Sequence, residues 1–283
     1  MKAVKVVVKS AAALVAVAVI IELAARVFLP GLAWLDVLEP TAWGYTARPS
    51  FSASYTGMPG AGMDAPFSTA ADGSRGAMTM RQASLVAIGN SYTFGLGVTD
   101  DATWPAQLAD ETTWTVANMG LPGLDMAMAL ARLQAMGLRM RGKTVVWVVA
   151  SDDTRRTPAE GWLAVRKGAA RWLRSLAWMR VQALPKGAEL SGDPAARLSV
   201  EDLLAAGVQL AEHNLFRLVV VRLSRWRSKP VPGLLLVDVS DVFTRLQSDP
   251  STLAEDGIQL NRAGNRRVAA AIASKLATMQ GKR

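Results

Sequence analysis

From position 84 onward the apolar residues fall into short unbroken runs separated by longer stretches of helical periodicity. The runs are LVAIG at 85–89, WTVANMG at 114–120, TVVWVVA at 144–150, FRLVVVRL at 216–223 and LLLVDV at 234–239. Between and after them, amphipathic spacing predicts helices over 103–110, 126–138, 199–213 and 262–279, with a long helical insertion at about 158–185. Strands that are nearly all apolar and alternate with helices predict a parallel sheet covered on both faces. The expected fold class is therefore α/β, a flavodoxin-like three-layer architecture, in which sites gather at the carboxyl ends of the strands.

The first 30 residues follow a different rule. Lys2, Lys5 and Lys9 precede an uncharged run at 10–21, and Glu22, Arg26 and Pro30 follow. The uncharged run has only 12 residues, but a helix over 4–29 would cross a hydrocarbon layer of about 30 Å, with Lys9 and Arg26 snorkelling to opposite sides. Lysines ahead of the run favour a cytoplasmic N-terminus and an extracytoplasmic remainder. We read a signal anchor at 1–30. The competing reading is a cleaved signal peptide, for which Leu23-Ala24-Ala25 lacks a small residue at the third position from the cut. Residues 31–80 are rich in Pro, Gly, Ser and Met, offer no obvious strand, and read as an extended connector packed on a domain at 81–283.

Composition narrows the chemistry. The 283 residues include no cysteine and one histidine, His213, so no disulfide framework, thiolate site or zinc-ligand cluster is available. No cofactor and no metal is expected. A formal charge of +9 suits an anionic surface. No nucleic-acid motif accompanies it, and Gly95-x-Gly97 completes no phosphate loop.

The strand ends carry ordered motifs. Ile88-Gly89-Asn90-Ser91 closes the first run, Asn118-Met119-Gly120-Leu121-Pro122-Gly123 follows the second, Ala150-Ser151-Asp152-Asp153 ends the third, and Asp256-Gly257-Ile258-Gln259-Leu260-Asn261-Arg262-Ala263-Gly264 precedes the last helix. Together they resemble the blocks of the SGNH/GDSL hydrolases: the GDS turn, the NxGxxG loop, the strand ending in Asn-Asp and the DGIHLNxxG loop. FSTAADGSRG at 67–76 is similar to the NxxGxRG segment that precedes the serine turn in membrane-anchored members, and Glu22 with Arg26 to the Glu-x-x-x-Arg pattern that closes their N-terminal helix. The resemblance implies Ser91 as nucleophile, Gly123 as an oxyanion-hole N–H, Asp256 as the triad acid, and envelope O-acyl chemistry as the activity of anchored relatives.

Two positions depart from that pattern. Gln259 stands where the resemblance expects the histidine that takes the serine proton, and an amide has no usable basicity near neutral pH. Asp152 stands where the second oxyanion donor, an Asn, is expected. Ionised, it would bring negative charge to the place where a tetrahedral intermediate builds its own. Asp152, Asp153 and Asp256 could together hold a cation, although paired aspartates ending a strand more often cap backbone groups. His213, at the end of a helix before a central strand, is not brought near Ser91 by anything in the resemblance.

Within 161–184, Trp162, Val165, Ala169, Trp172, Leu176 and Met179 recur at alternating three and four, interleaved with Arg166, Lys167, Arg171, Arg174 and Arg180 and with no acid. A basic helix with Trp on its apolar side suits a membrane interface or a partner, and Trp162, Arg166, Lys167, Arg171, Trp172 and Arg174 are the candidate surface. A stripe packed on the sheet with solvated arginines is the plainer reading. Trp178 and Arg225-Trp226-Arg227 add to the same candidate surface.

The sequence therefore predicts a membrane-anchored, extracytoplasmic SGNH-like protein, non-catalytic, serving as a structural or binding subunit of a membrane protein assembly. Two alternatives remain open: a serine esterase or O-acyltransferase acting on envelope acyl esters, and a non-catalytic carbohydrate-binding module.

Overall fold

The computed structural model describes residues 2–28, 37–41, 44–54, 65–150, 173, 175–176 and 198–280. It opens with helix α1 (Lys2–Phe28), whose apolar side chains stand largely clear of the rest of the protein, Leu14, Ile20 and Phe28 being 71%, 64% and 78% exposed. Among the described residues this is the one helix long and apolar enough to cross a membrane, over Lys9–Phe28. Being near the N-terminus, it meets the requirements of a signal sequence equally.

Two small antiparallel pairs follow, β1 (Leu38–Thr41) with β2 (Gly44–Ala47) and β3 (Ser52–Ser54) with β4 (Pro66–Ser68). They correct the expectation that 31–80 holds no strand. Each is only three or four residues long, so no alternation accumulates, and the buried residues Tyr45, Ala47 and Phe67 join the core singly. The β3–β4 partners are also separated by a long stretch of sequence, which local patterning does not reveal.

The sheet that carries the motifs has the order β6 (Val116–Asn118), β5 (Leu85–Ile88), β7 (Thr144–Val149), β8 (Arg217–Arg222), β9 (Leu235–Asp238), all parallel. Counted along the chain this is 2-1-3-4-5, the flavodoxin-like order expected from the sequence. β-Branched residues suit the twice-covered central strands, and β7 divides its side chains between the two faces. Val145, Trp147 and Val149 enter one core and Val146 and Val148 the other.

The first core is closed by α4 (Met126–Met136) and α5 (Val200–Asn214), the second by α3 (Trp104–Glu111), α6 (Ser240–Gln247) and α7 (Arg262–Gln280), with the four-residue α2 (Ser91–Phe94) at the end of β5. Side-chain caps begin the helices: Thr103 Oγ1 accepts from Ala106 N–H, Asp125 from Met128 N–H at 2.8 Å, and Ser199 with Asp202 forms a capping box on α5. α6 is an element the sequence reading did not include. It has two buried apolar anchors, Phe243 and Leu246, too few to declare a period.

Trp226 also departs from expectation. It is 8% exposed, sits in the core, and donates its indole N–H to Val149 O at 3.4 Å across the carboxyl end of β7. It therefore packs on the sheet and belongs to no lipid-facing surface. Of the insertion at 158–185 only Leu173, Ser175 and Leu176 are described; Trp162, Arg166, Lys167, Arg171, Trp172 and Arg174 lie outside the described residues.

Candidate active site

β5 is buried along its whole length and delivers Gly89-Asn90-Ser91 to the carboxyl edge of the sheet. There the chain turns directly into α2. Asn90 caps that turn twice, its side-chain oxygen accepting Tyr92 N–H at 3.0 Å and its carbonyl accepting Phe94 N–H at 2.9 Å. Ser91 is the first helical residue and is half-buried. The site thus lies beside the switch point between β5 and β7, where open α/β sheets place their ligands.

The loop after β6 wraps α2. Asn118 donates its amide to Thr93 O at 2.8 Å and accepts Gly120 N–H at 3.0 Å, and Leu121 N–H reaches Gly89 O at 2.9 Å. Gly120 is required here, because a Cβ would fall on the Phe94 backbone nitrogen. Gly123 has φ +73°, a left-handed conformation that favours glycine. Tyr45 of the β1–β2 hairpin, fully buried, fixes the same loop by donating its hydroxyl to Pro122 O at 2.6 Å.

Beneath the turn lies Arg75, 4% exposed. Its guanidinium donates to Phe94 O at 2.7 Å, Gly95 O at 2.5 Å and Val98 O, and pairs with Asp100 at 2.9 Å. Its face lies 4.8 Å from the Phe94 ring centroid. One planar cation thereby gathers three carbonyls that leave α2, a task matched to the arginine fork. Arg132, fully buried, similarly donates to Met119 O; burial pushes its guanidinium down to about 10, while Tyr45 and Asp72 act in the opposite sense.

The connection between α6 and α7 brings the remaining positions. Gln259 donates its amide N–H to Ser91 Oγ at 3.3 Å. Asp256 does not reach toward the serine in that bond; its Oδ1 accepts the backbone N–H of Ile258 at 2.9 Å and of Gln259 at 2.8 Å. The Ile258 carbonyl in turn accepts from Tyr92 Oη at 3.4 Å and Gln247 Nε2 at 3.0 Å, and Tyr92 meets Phe243 edge-on at 5.0 Å. Asn261 and Asn265 brace the start of α7: Asn261 donates to Ser251 O at 2.8 Å, and Asn265 accepts Trp104 N–H at 3.0 Å.

Of the residues singled out from the sequence, Ser91 and Gln259 are in direct contact, Asp256 shapes the Gln259 loop, and Gly123 lies on the loop that wraps α2. Asp152 lies outside the described residues. His213 is exposed in the last turn of α5, before the amino end of β8, so the parallel sheet separates it from the carboxyl edge where Ser91 stands. Arg75, Tyr45 and Tyr92 were not read from the sequence as site residues. The Arg75 signal was present in the FSTAADGSRG segment, whereas the other two act on backbone carbonyls that carry no sequence mark.

Chemically, the arrangement holds a serine hydroxyl at a tight turn with an amide where a base would stand. An amide can exchange hydrogen bonds with the hydroxyl but cannot hold its proton.

The fold and site define a class, an α/β protein of flavodoxin-like topology with a serine on the turn that ends the first strand of its parallel sheet. No protein-family model matches the sequence, and no curated protein matches it. Among solved structures the chain is similar to a G-D-S-L family protein from Desulfitobacterium hafniense DCB-2, at 16% identity over 68% of this chain and 98% of that one, with a TM-score of 0.38. It is similar to TesA at 18% identity over 68% and 97%, TM-score 0.41. It is likewise similar to LAE5, an alpha/beta hydrolase enzyme from the metagenome of Lake Arreo, Spain, at 17% identity over 70% and 97%, TM-score 0.42. At this identity and superposition the neighbours carry no weight of their own, and the fold class rests on the strand order and the two-sided core.

Proposed function

We propose that this protein is a non-catalytic SGNH-like subunit, held by α1 at the extracytoplasmic face of the cytoplasmic membrane and serving a membrane protein assembly through its surfaces. The observation that carries this reading is the Gln259 amide 3.3 Å from Ser91 Oγ, where acyl transfer needs a base. Loss of one triad member costs comparable serine hydrolases about 10⁴ to 10⁶ in rate. The serine turn is nonetheless fully braced, by Asn118, Arg75 and Tyr45. Retention of such a frame around a serine whose described neighbour is an amide supports a role in binding or assembly. The identity of the partner protein is open, and the reading involves no cofactor or nucleic acid.

Hydrolysis of short-chain p-nitrophenyl esters by the full chain in mild detergent tests the absence of chemistry. No turnover above the Ser91→Ala background is expected. Turnover that disappears in Ser91→Ala would sink the non-catalytic reading and favour an esterase or O-acyltransferase of envelope acyl esters. Copurification tests the assembly role: a chain that leaves the membrane alone, as a monomer, would remove it. Glycan binding that survives Ser91→Ala would instead favour a carbohydrate-binding module.

A further inference from the structure

Glu22 is the one carboxylate in the apolar stretch Lys9–Phe28, and its side chain is only 12% exposed. Oε1 accepts from Arg26 Nε at 3.0 Å one turn on. Oε2 accepts from the backbone N–H of Ser175 at 3.2 Å and from its hydroxyl at 2.9 Å, across 153 residues of sequence. Next to Glu22, Ala25 is 8% exposed, whereas Val17, Leu23 and Val27 are 53%, 58% and 69% exposed. The helix is therefore held to the rest of the protein near its carboxyl end, and its other faces are uncovered apolar surface.

Position along the helix converts this tie into a depth. Lys9–Phe28 spans 20 residues, about 30 Å at 1.5 Å per residue, the thickness of a hydrocarbon layer. Glu22 lies six residues before Phe28, about 9 Å inside the end of that span. A carboxylate at that level must be hydrogen-bonded, because unpaired burial of a charge is strongly unfavourable. Ser175 supplies two donors and is fixed at the same level, with Leu173 (39% exposed) two residues before it and Leu176 following.

We propose that Leu173, Ser175 and Leu176 are seated in the boundary between lipid headgroups and acyl chains beside α1, at a depth set by Glu22. The domain then dips into the leaflet at this point instead of standing off from it. The occupant of the uncovered surface is phospholipid, since its apolar length matches a bilayer. The inference rests on α1 being a membrane span, as proposed above.

The chain has no cysteine, so nitroxide labels at Val17→Cys, Leu173→Cys and Leu215→Cys report single sites. The full chain is reconstituted into phosphatidylcholine–phosphatidylglycerol vesicles, and label depth is read from collision with oxygen against an aqueous nickel chelate. The expected depths are near the midplane for 17, about 5–10 Å below the headgroup level for 173, and water for 215, which is 59% exposed. A label at 173 that reads as aqueous, with 17 still deep, overturns the inference and leaves the anchor intact. A label at 17 that reads as aqueous overturns the anchor itself. Shielding of 173 from both collision partners would point to a protein contact and also overturn the inference. Adding Glu22→Leu should move the 173 label outward by several ångströms, and an unchanged depth would remove Glu22 as the device that sets it.

Discussion

Gln259 Nε2 stands 3.3 Å from Ser91 Oγ and donates to it. The contact keeps the geometry of a nucleophile and its neighbour while reversing the direction in which a proton could be shared. Replacing only the neighbour should therefore recover part of the chemistry. Gln259→His is expected to raise p-nitrophenyl acetate hydrolysis about 10²-fold over the wild-type chain, the lower end of what a positioned base contributes. The gain should vanish in Gln259→His/Ser91→Ala. A rate no higher than wild type would mean that the site lacks more than a base.

Arg75 ties the carbonyls that leave α2 to Asp100. Arg75→Met would leave the carbonyls of Phe94, Gly95 and Val98 without their shared donor and Asp100 without its ion pair. The expected loss in stability is about 3–5 kcal/mol, as for breaking a buried charged network, read from urea unfolding. A loss below 1 kcal/mol would show that the turn is held by Asn118 and the Asn90 cap alone.

Tyr45→Phe tests the tie between the β1–β2 hairpin and the loop after β6. It removes the hydroxyl that donates to Pro122 O at 2.6 Å and leaves the ring in the core. The expected cost is about 1 kcal/mol, a fall in Tm of roughly 2–4 °C for a domain of this size, measured by differential scanning fluorimetry.

Asp238, at the end of β9, tests an acid-sensitive contact at the same edge of the sheet. Burial works against its ionisation, but hydrogen bonds from Arg222 and Ser240 prevail and hold the carboxyl at about 2. A folded-state value below the unfolded one, near 3.9, stabilises the protein above that value, and the contribution is lost as pH falls toward about 2. Asp238→Asn should lower Tm at pH about 6, and the gap to wild type should close by pH about 2. Solvent screening keeps the gap small, since the Asp238 side chain is 41% exposed. A gap that persists at low pH would assign the effect to packing.

Much of this architecture was legible because the sheet is buried twice over. LVAIG and TVVWVVA need no partner to identify them as central strands, and their order with the intervening helices leaves few topologies open. The Ser91–Gln259 contact was likewise readable from the ordered motifs, since the resemblance puts residue 259 at the position of the group that faces the serine hydroxyl. The hairpin that carries Tyr45 was not, because four residues with two buried side chains make no pattern. Nor was the engagement of Asp256 with its own backbone: the sequence names a carboxylate but not whether it will face a side chain or the N–H groups of Ile258 and Gln259. Trp226 misled for a related reason, since arginines on either side of a tryptophan look the same whether its ring faces lipid or the end of β7.

The self-contained bracing of the Asp256 loop has an evolutionary consequence. Because Asp256 holds backbone N–H groups and Tyr92 and Gln247 hold the Ile258 carbonyl, residue 259 can change without the loop losing its form. Histidine and glutamine codons differ at the third base alone. A single nucleotide can therefore exchange the amide beside Ser91 for an imidazole, or the reverse, while the hydrogen bonds that shape the loop stay in place.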